Sequence, residues 1–310
     1  MNSLSFKKKS LLLQEERFGW LTLFPSLSVI ILLIFYPIIY NIYLSFFEVK
    51  LVSENIFVGP NNYLNLFGDE NFYKSLWITL IYVVATTLGT TLLGISVASI
   101  MNHEFPMRGL VRGLILLPYV APLISEVFAW QFIFDPVNGI FNHLIVEIFH
   151  LSQERFNLIG TPDQALIVVI VFDIWKHFPF AYLLILARFQ SIDKSLYEAA
   201  EIDGAGRWKK FLHITLPEIR FVVGAIIMLR FIWNMNKFDE VYLLAPNVKT
   251  LPVYTYFTAF TGNIEQGLAA SIAVVQFLLL TRGFRISIYQ HLISNHATRS
   301  HDLSETPYRD

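Results

Sequence analysis

"EAAEIDGAGRWKKFLHITLP", Glu198 to Pro217, is a polar, orderly stretch inside a very apolar chain. Asp193 can cap a helix that starts at Lys194. Leu196, Tyr197, Ala200 and Glu201 fall at helical spacing, and Ala199 and Ala200 keep part of that surface small enough for another backbone to approach. Asp203-Gly204 reads as the stop, with glycine taking the left-handed conformation. A second short helix is expected from about Arg207 to His213. Its Trp208, Phe211 and Leu212 form an apolar side, and Arg207, Lys209 and Lys210 a basic one. Pro217 fits the first turn of the apolar segment that follows. The pattern predicts two short helices at an angle, a rigid handle protruding between two membrane spans.

The rest of the 310-residue chain supports that setting. It is 55% hydrophobic and only 15% charged, which points away from an ordinary soluble domain. A net charge of -1 gives no global field for nucleic acid. Cysteine is absent, so disulfides and a cysteine nucleophile are excluded. Six apolar segments approach the roughly 20 residues needed to cross a bilayer: Leu21–Phe47, Leu76–Met101, Leu110–Phe134, Ala165–Ala187, Phe221–Leu244 and Leu268–Leu280 with its flanks. The first follows Lys7, Lys8 and Lys9 but is too long for a signal-peptide core, and is read as retained.

Lys and Arg crowd one set of connections: Lys7 to Lys9 and Arg17, Arg108 and Arg112, the 188–220 stretch, and Arg282, Arg285, Arg299 and Arg309. The alternate set holds only Lys50, Lys74, Arg155, Lys237 and Lys249. The bias predicts cytoplasmic termini and a cytoplasmic 198–217 element. The expected organisation is a cytoplasmic tail over 1–18, a transmembrane domain over 19–292 with its loop at 191–217, and a polar cytoplasmic tail over 293–310. Outside the membrane, "DPVNGIFNHLIVEIFHLSQERF" places Ile140, Phe141, Leu144, Ile145, Ile148 and Phe149 at the spacing of a short amphipathic helix.

No GxxxxGK[ST] occurs, so the chain cannot cradle a nucleotide by that route, and no HExxH is present. The eight histidines are scattered. A stand-alone secondary carrier would be expected to show more spans or visible repeats, and a membrane enzyme a nucleophile or acid-base cluster on one face. Neither is seen.

The 198–217 stretch resembles the EAA loop of permeases from binding-protein-dependent ABC importers, whose pattern is EAA-x3-G-x9-I-x-LP. Glu198-Ala199-Ala200, Gly204, Ile214 and Leu216-Pro217 fit it at every spacing. "FVGPNNYLNLF", "RGLILLPYVAPLISEVFAWQFIFDPVNGIFNHLI", "IWKHFPFAYLLILARFQSID" and "RFIWNMNKFDEVYLL" are similar to segments of the sugar-type permeases of the MalF/UgpA kind. The chain departs from them after the fifth span, where only "APNVK" stands in place of a Gly-rich stretch. The resemblance implies an all-α polytopic membrane protein with six transmembrane helices and the type I importer architecture, in the inner membrane. It implies a second, similar permease chain, two ATPase subunits and an extracytoplasmic solute-binding protein as partners. Lipid surrounds it, and no nucleic acid is involved. ATP and Mg then belong to the ATPase, with no cofactor in this chain and no enzymatic activity of its own. Coupling to the ATPase is assigned by the resemblance to Glu198, Ala199, Ala200, Asp203, Gly204, Ala205, Arg207 and Lys209. Glu198 either pairs across the docking surface or supports its own helix, the latter preferred. The basic residues face either the ATPase or lipid phosphates.

Polar residues inside spans are costly, about 2.5–3.5 kcal/mol for a mid-helix charge, so they usually face a cavity or a partner. Glu126, Trp130, Asp173, Trp175, Trp233, Asn234 and Asp239 are the candidates for the solute pathway, with Lys176, Arg230, Asn236 and Gln276 nearby. Aromatic faces beside amides and carboxylates suit a carbohydrate, polyol or glycoside. Glycerol phosphate, an amino acid or a peptide are the alternatives. Two blander readings stand beside this. Asp173 and Lys176, three residues apart, can neutralise each other, and Arg230 can bond carbonyls. A helix broken near Pro118 and Pro122 is expected to help shape the cavity.

Overall fold

The computed structural model describes residues 18–49 and 54–282. Both polar tails, apart from Phe18, lie outside these residues, as does Arg285. The described chain is mostly helical and divides into two compact units. One is formed by the residues up to Gly68 with Thr255–Thr281, the other by Asp69–Tyr254.

The first unit opens with α1, Phe18–Leu44, none of whose residues is buried. Two short strands, β1 (Phe47–Glu48) and β2 (Ile56–Phe57), pair antiparallel with Phe47 opposite Phe57. Helix α2, Asn61–Gly68, follows. The buried Asn62 amide donates to the carbonyls of Ser45 and Phe47 at 2.9 and 3.0 Å, which fixes the chain's exit from α1. Gly267 lies against the same place, and a Cβ there would stand 1.9 Å from the Phe47 carbonyl oxygen.

The second unit begins at Asp69, whose carboxylate caps α3, Glu70–Asn102, by accepting from the Asn71 N–H at 2.9 Å. Next come α4, Arg108–Val120, and α5, Leu123–Ile133, which meet at 93°. The expected Leu110–Phe134 span is thus a broken one, as Pro118 and Pro122 suggest. The amphipathic segment forms α6 over 140–148. Then follow α7 (Pro162–Gln190), α8 (Lys194–Ile202), α9 (Arg207–Met235), α10 (Asp239–Leu244) and α11 (Leu251–Phe260). The last described helix, α12, is Gln266–Arg282.

Four helices, α1, α3, α7 and α9, are long and apolar enough to cross a membrane. The α4–α5 pair makes a fifth if counted as one span, and α12 is a shorter apolar helix. The fifth segment differs from expectation at both ends. It does not begin at Phe221: the basic-aromatic run and the span are one continuous helix from Arg207. A π-type stretch, Phe211–Thr215, absorbs Pro217, with the Leu216 N–H bonding to the Phe211 carbonyl. Proline removes one donor and crowds the carbonyl four residues back, and widening the preceding turn relieves both. The same solution appears before Pro37, where Ile31–Phe35 is π-type. The helix then ends at Met235 rather than Leu244, and Asn236–Phe238 break it before α10.

Helices α3 and α7 lie close because their shared face is small. Thr86, Thr87, Thr90, Thr91, Gly94 and Ala98 are buried on α3. A Cβ on Gly94 would come within 2.7 Å of the Ala181 Cβ and 3.0 Å of the Tyr182 nitrogen. In a bilayer, where lipid is as apolar as leucine, such close backbone packing takes over from hydrophobic burial. Ala98, Met101, Tyr182, Ile185, Phe189, Ile192, Ile219 and Ile226 join α3, α7 and α9 into one apolar core where these helices approach α8.

Candidate functional site

The 191–217 element is built from its caps inward. The Asp193 carboxylate accepts from the Ser195 N–H at 3.0 Å, and this bond holds its pKa below the usual carboxylate value. Helix α8 ends in a full Schellman closure. The Ala205 N–H reaches the Ala200 carbonyl at 2.8 Å and the Gly204 N–H reaches Glu201 at 3.0 Å. Gly204, at φ +73, occupies the left-handed position this closure needs. Across the bend, Lys210 pairs with Glu201 at 2.5 Å, and the hydrogen bond and charge of Lys210 lower the Glu201 pKa. Tyr197 and Thr215 join hydroxyls at 2.9 Å. These bonds make the two arms one piece.

What the element presents is apolar and open. Ile202 is 87% exposed and Trp208 76%, and a Cβ on Gly204 would meet nothing within 4 Å. Glu198, Ala199, Asp203, Arg207 and Lys209 are exposed, and Ala200 and Ala205 half-buried. Among the described residues no ion pair is found for Glu198. At the foot of the element, the Arg188 guanidinium ties α7 to α9 through the Glu218 carbonyl at 2.9 Å and pairs with the Glu218 carboxylate.

A second polar group lies inside the helices. Asp173 pairs with Arg230, both essentially inaccessible. Lys176 pairs with Glu126 and lies 3.5 Å from the Ala121 carbonyl, at the α4–α5 break. Asp173 and Lys176 therefore do not neutralise each other; one turn of α7 sends its carboxylate to α9 and its ammonium to α5. His177 Nδ1 stands 3.1 Å from Asp173 and Nε2 3.7 Å from Glu240. Lys237 is 2.9 Å from Glu240 and 3.9 Å from Asp173. Three carboxyl groups, Glu126, Asp173 and Glu240, thus lie against three basic side chains, Lys176, Arg230 and Lys237.

The seven pathway candidates separate into groups. Trp233 and Asp239 line a cavity of about 470 Å³ together with Asn236, Lys237 and Glu240. Trp130 and Trp175 pack against each other, tilted, at 5.5 Å and against Phe172, apart from that cavity's lining. Asp173 and Glu126 are held in ion pairs. Asn234 turns toward α3, donating to the Thr86 and Thr87 hydroxyls at 2.8 and 3.3 Å. The structure adds Phe180, which joins Tyr119 at 6.2 Å and Trp233 at 5.3 Å into a row of aromatic rings crossing three helices. It also adds His177 and Glu240. Residues 173, 177 and 180 recur at helical spacing, a signal that could have placed Phe180 and His177 beside Asp173.

Comparison with known proteins is consistent throughout. The family model described as binding-protein-dependent transport system inner membrane component matches residues 90–293. The chain is 42% identical over 265 residues to the inner membrane ABC transporter permease protein YcjO of Escherichia coli, covering 85% of this chain and 90% of that protein. It is 31% identical to the trehalose/maltose transport system permease protein MalF of Thermococcus litoralis, covering 90% and 94%. Among solved structures, a chain of a bacterial ABC transporter involved in the import of the acidic polysaccharide alginate shares the fold, with a TM-score of 0.72 at 21% identity over 91% of this chain and 99% of that one. The sequence pattern of 198–217, the helical membrane architecture and these matches agree: the chain belongs to the family of inner membrane components of binding-protein-dependent transport systems.

Proposed function

We propose that this chain is the permease subunit of an ATP-driven importer for a carbohydrate or a related polyol or glycoside. In this reading six segments cross the inner membrane, both termini are cytoplasmic, and a second, similar permease completes the route. Two ATPase subunits hold ATP and Mg, and an extracytoplasmic solute-binding protein delivers the solute. The names of relatives that transport trehalose, maltose and sulfoquinovosyl glycerol support the solute class.

One observation carries the reading: the 198–217 element is cross-tied, exposes its tip, and continues without a break into a membrane helix. Glu198, Ala199, Ala200, Asp203, Gly204, Ala205 and Lys209 form the docking surface, and closure of the ATPases moves α9 through it. A packed, two-position interface is how small shifts become large ones. For the solute, the Tyr119–Phe180–Trp233 row offers ring faces and the Lys237–Asp239–Glu240 side offers hydrogen bonds, a combination that suits a pyranose with apolar C–H faces and a polar rim.

The test is uptake into proteoliposomes. The chain with its partner permease, ATPases and binding protein should accumulate sugar only with ATP inside. Accumulation by this chain alone, with no ATPase present, would end the proposal.

A further inference from the structure

A cavity of about 860 Å³ lies between the end of α3 and the 198–217 element. Its lining combines two kinds of residue. Ile95, Ile100 and Phe189 are apolar. Trp208 and Phe211 also line it, with Arg207 and Lys210 from the same helix. The distance from Ile95 to His103 along α3 is about 12 Å at about 1.5 Å per residue. Three membrane-length helices, α3, α7 and α9, begin or end beside the cavity, so it spans the level where hydrocarbon gives way to headgroups.

The charges on this lining do not cancel. Lys210 and Glu201 match each other at 2.5 Å. Arg207 is exposed and has no ion-pair partner among the described residues, and the exposed His103 adds a further potential cation. Trp208 lies beside Arg207, an amphipathic ring of the kind that favours the membrane interface. Lys209 is absent from the lining, because successive helical positions are rotated by about 100°.

We propose that this cavity holds an anionic phospholipid, its phosphate on Arg207 and its upper acyl chain along Ile95, Ile100 and Phe189. The basic residues thus divide by helix face: Arg207 serves the lipid and Lys209 the ATPase. The assignment rests on the reading of 198–217 as an inner-side coupling element. A lipid seated here braces the element against α3 and sets its stance before the ATPase arrives.

The experiment uses the complete importer in nanodiscs. Trp208 emission is isolated as the difference from a Trp208→Phe importer. Brominated phosphatidylglycerol is compared with brominated phosphatidylcholine as quencher. Charge selection at one basic residue predicts half-quenching at an about five-fold lower mole fraction of the anionic lipid. Arg207→Gln should erase that difference, and Lys209→Gln should keep it. Equal quenching by both lipids, or none by either, overturns the proposal. ATP-driven uptake is read separately on the same preparation. Normal uptake without selective quenching removes the lipid site and leaves the permease reading, whereas selective quenching without ATP-dependent uptake does the reverse.

Discussion

Arg230 and Asp173 bury opposite charges against each other on two helices, at 1% and 0% side-chain exposure. Removing one partner of such a pair strands the other, at a cost of about 3–5 kcal/mol, whereas replacing both with apolar groups can be nearly neutral. Arg230→Met should therefore lower the detergent unfolding midpoint sharply, and Asp173→Leu in the same chain should recover most of the loss. If the single variant unfolds like the parent, the pair is not a structural tie.

Gly204 separates backbone from surface. Asn tolerates the left-handed region far better than most residues, and the space around Gly204 is open. Gly204→Asn should leave membrane insertion and thermal stability nearly unchanged while abolishing ATP-driven uptake, because a side chain would then stand at the tip proposed to dock. Unimpaired uptake would count against a docking role for this bend.

Trp233 is 42% exposed and ends the aromatic row. Trp233→Ala should raise the solute concentration for half-maximal uptake roughly two- to ten-fold, on the scale of an aromatic contact. Expression should not change. An unaltered concentration dependence would remove Trp233 from the pathway.

Gly94 tests the close approach of α3 and α7. Even Gly94→Ala puts a methyl 2.7 Å from the Ala181 Cβ. Overpacking of this kind typically costs about 1–3 kcal/mol, so the variant should give less folded protein and a lower unfolding midpoint. Gly109→Ala, with nothing within 4 Å, is the control and should behave as the parent.

Acid should loosen the 191–217 element. The hydrogen bond and charge of Lys210 lower the Glu201 pKa, and the Ser195 N–H lowers that of Asp193. A carboxylate with a depressed folded pKa contributes stability above its unfolded value, about 4, and loses it as pH falls through the folded value. Hydrogen exchange at 194–205 should be slow at pH 7 and gain opening below about pH 4. Glu201→Gln should show the opened behaviour already at pH 7.

The sequence disclosed the local structure of 191–217 well, because its signals are chemical and short-range. Asp193 had an amide to cap, and Gly204 stood where a left-handed residue was needed. It disclosed less where the outcome depended on packing. Pro217 looked like a helix start because proline usually is one, yet the π-type turn before it let α9 run through. Asp173 and Lys176 looked like partners because they are neighbours on one helix. Glu126 and Arg230, distant in sequence, lay nearer in space. Phe180 shares a face of α7 with Asp173 and His177, but its ring partners, Tyr119 and Trp233, are distant in sequence and come together only in the fold.

Because α9 runs unbroken for 29 residues, at about 1.5 Å each it is a rod of about 43 Å. Pivoting such a rod by about 5° at the Arg207 end carries Trp233 sideways by about 3–4 Å at the same rise per residue, comparable to the thickness of a sugar ring. Pro217 does not interrupt the helix, so an angular motion of the whole helix at one end arrives at the other as lateral displacement.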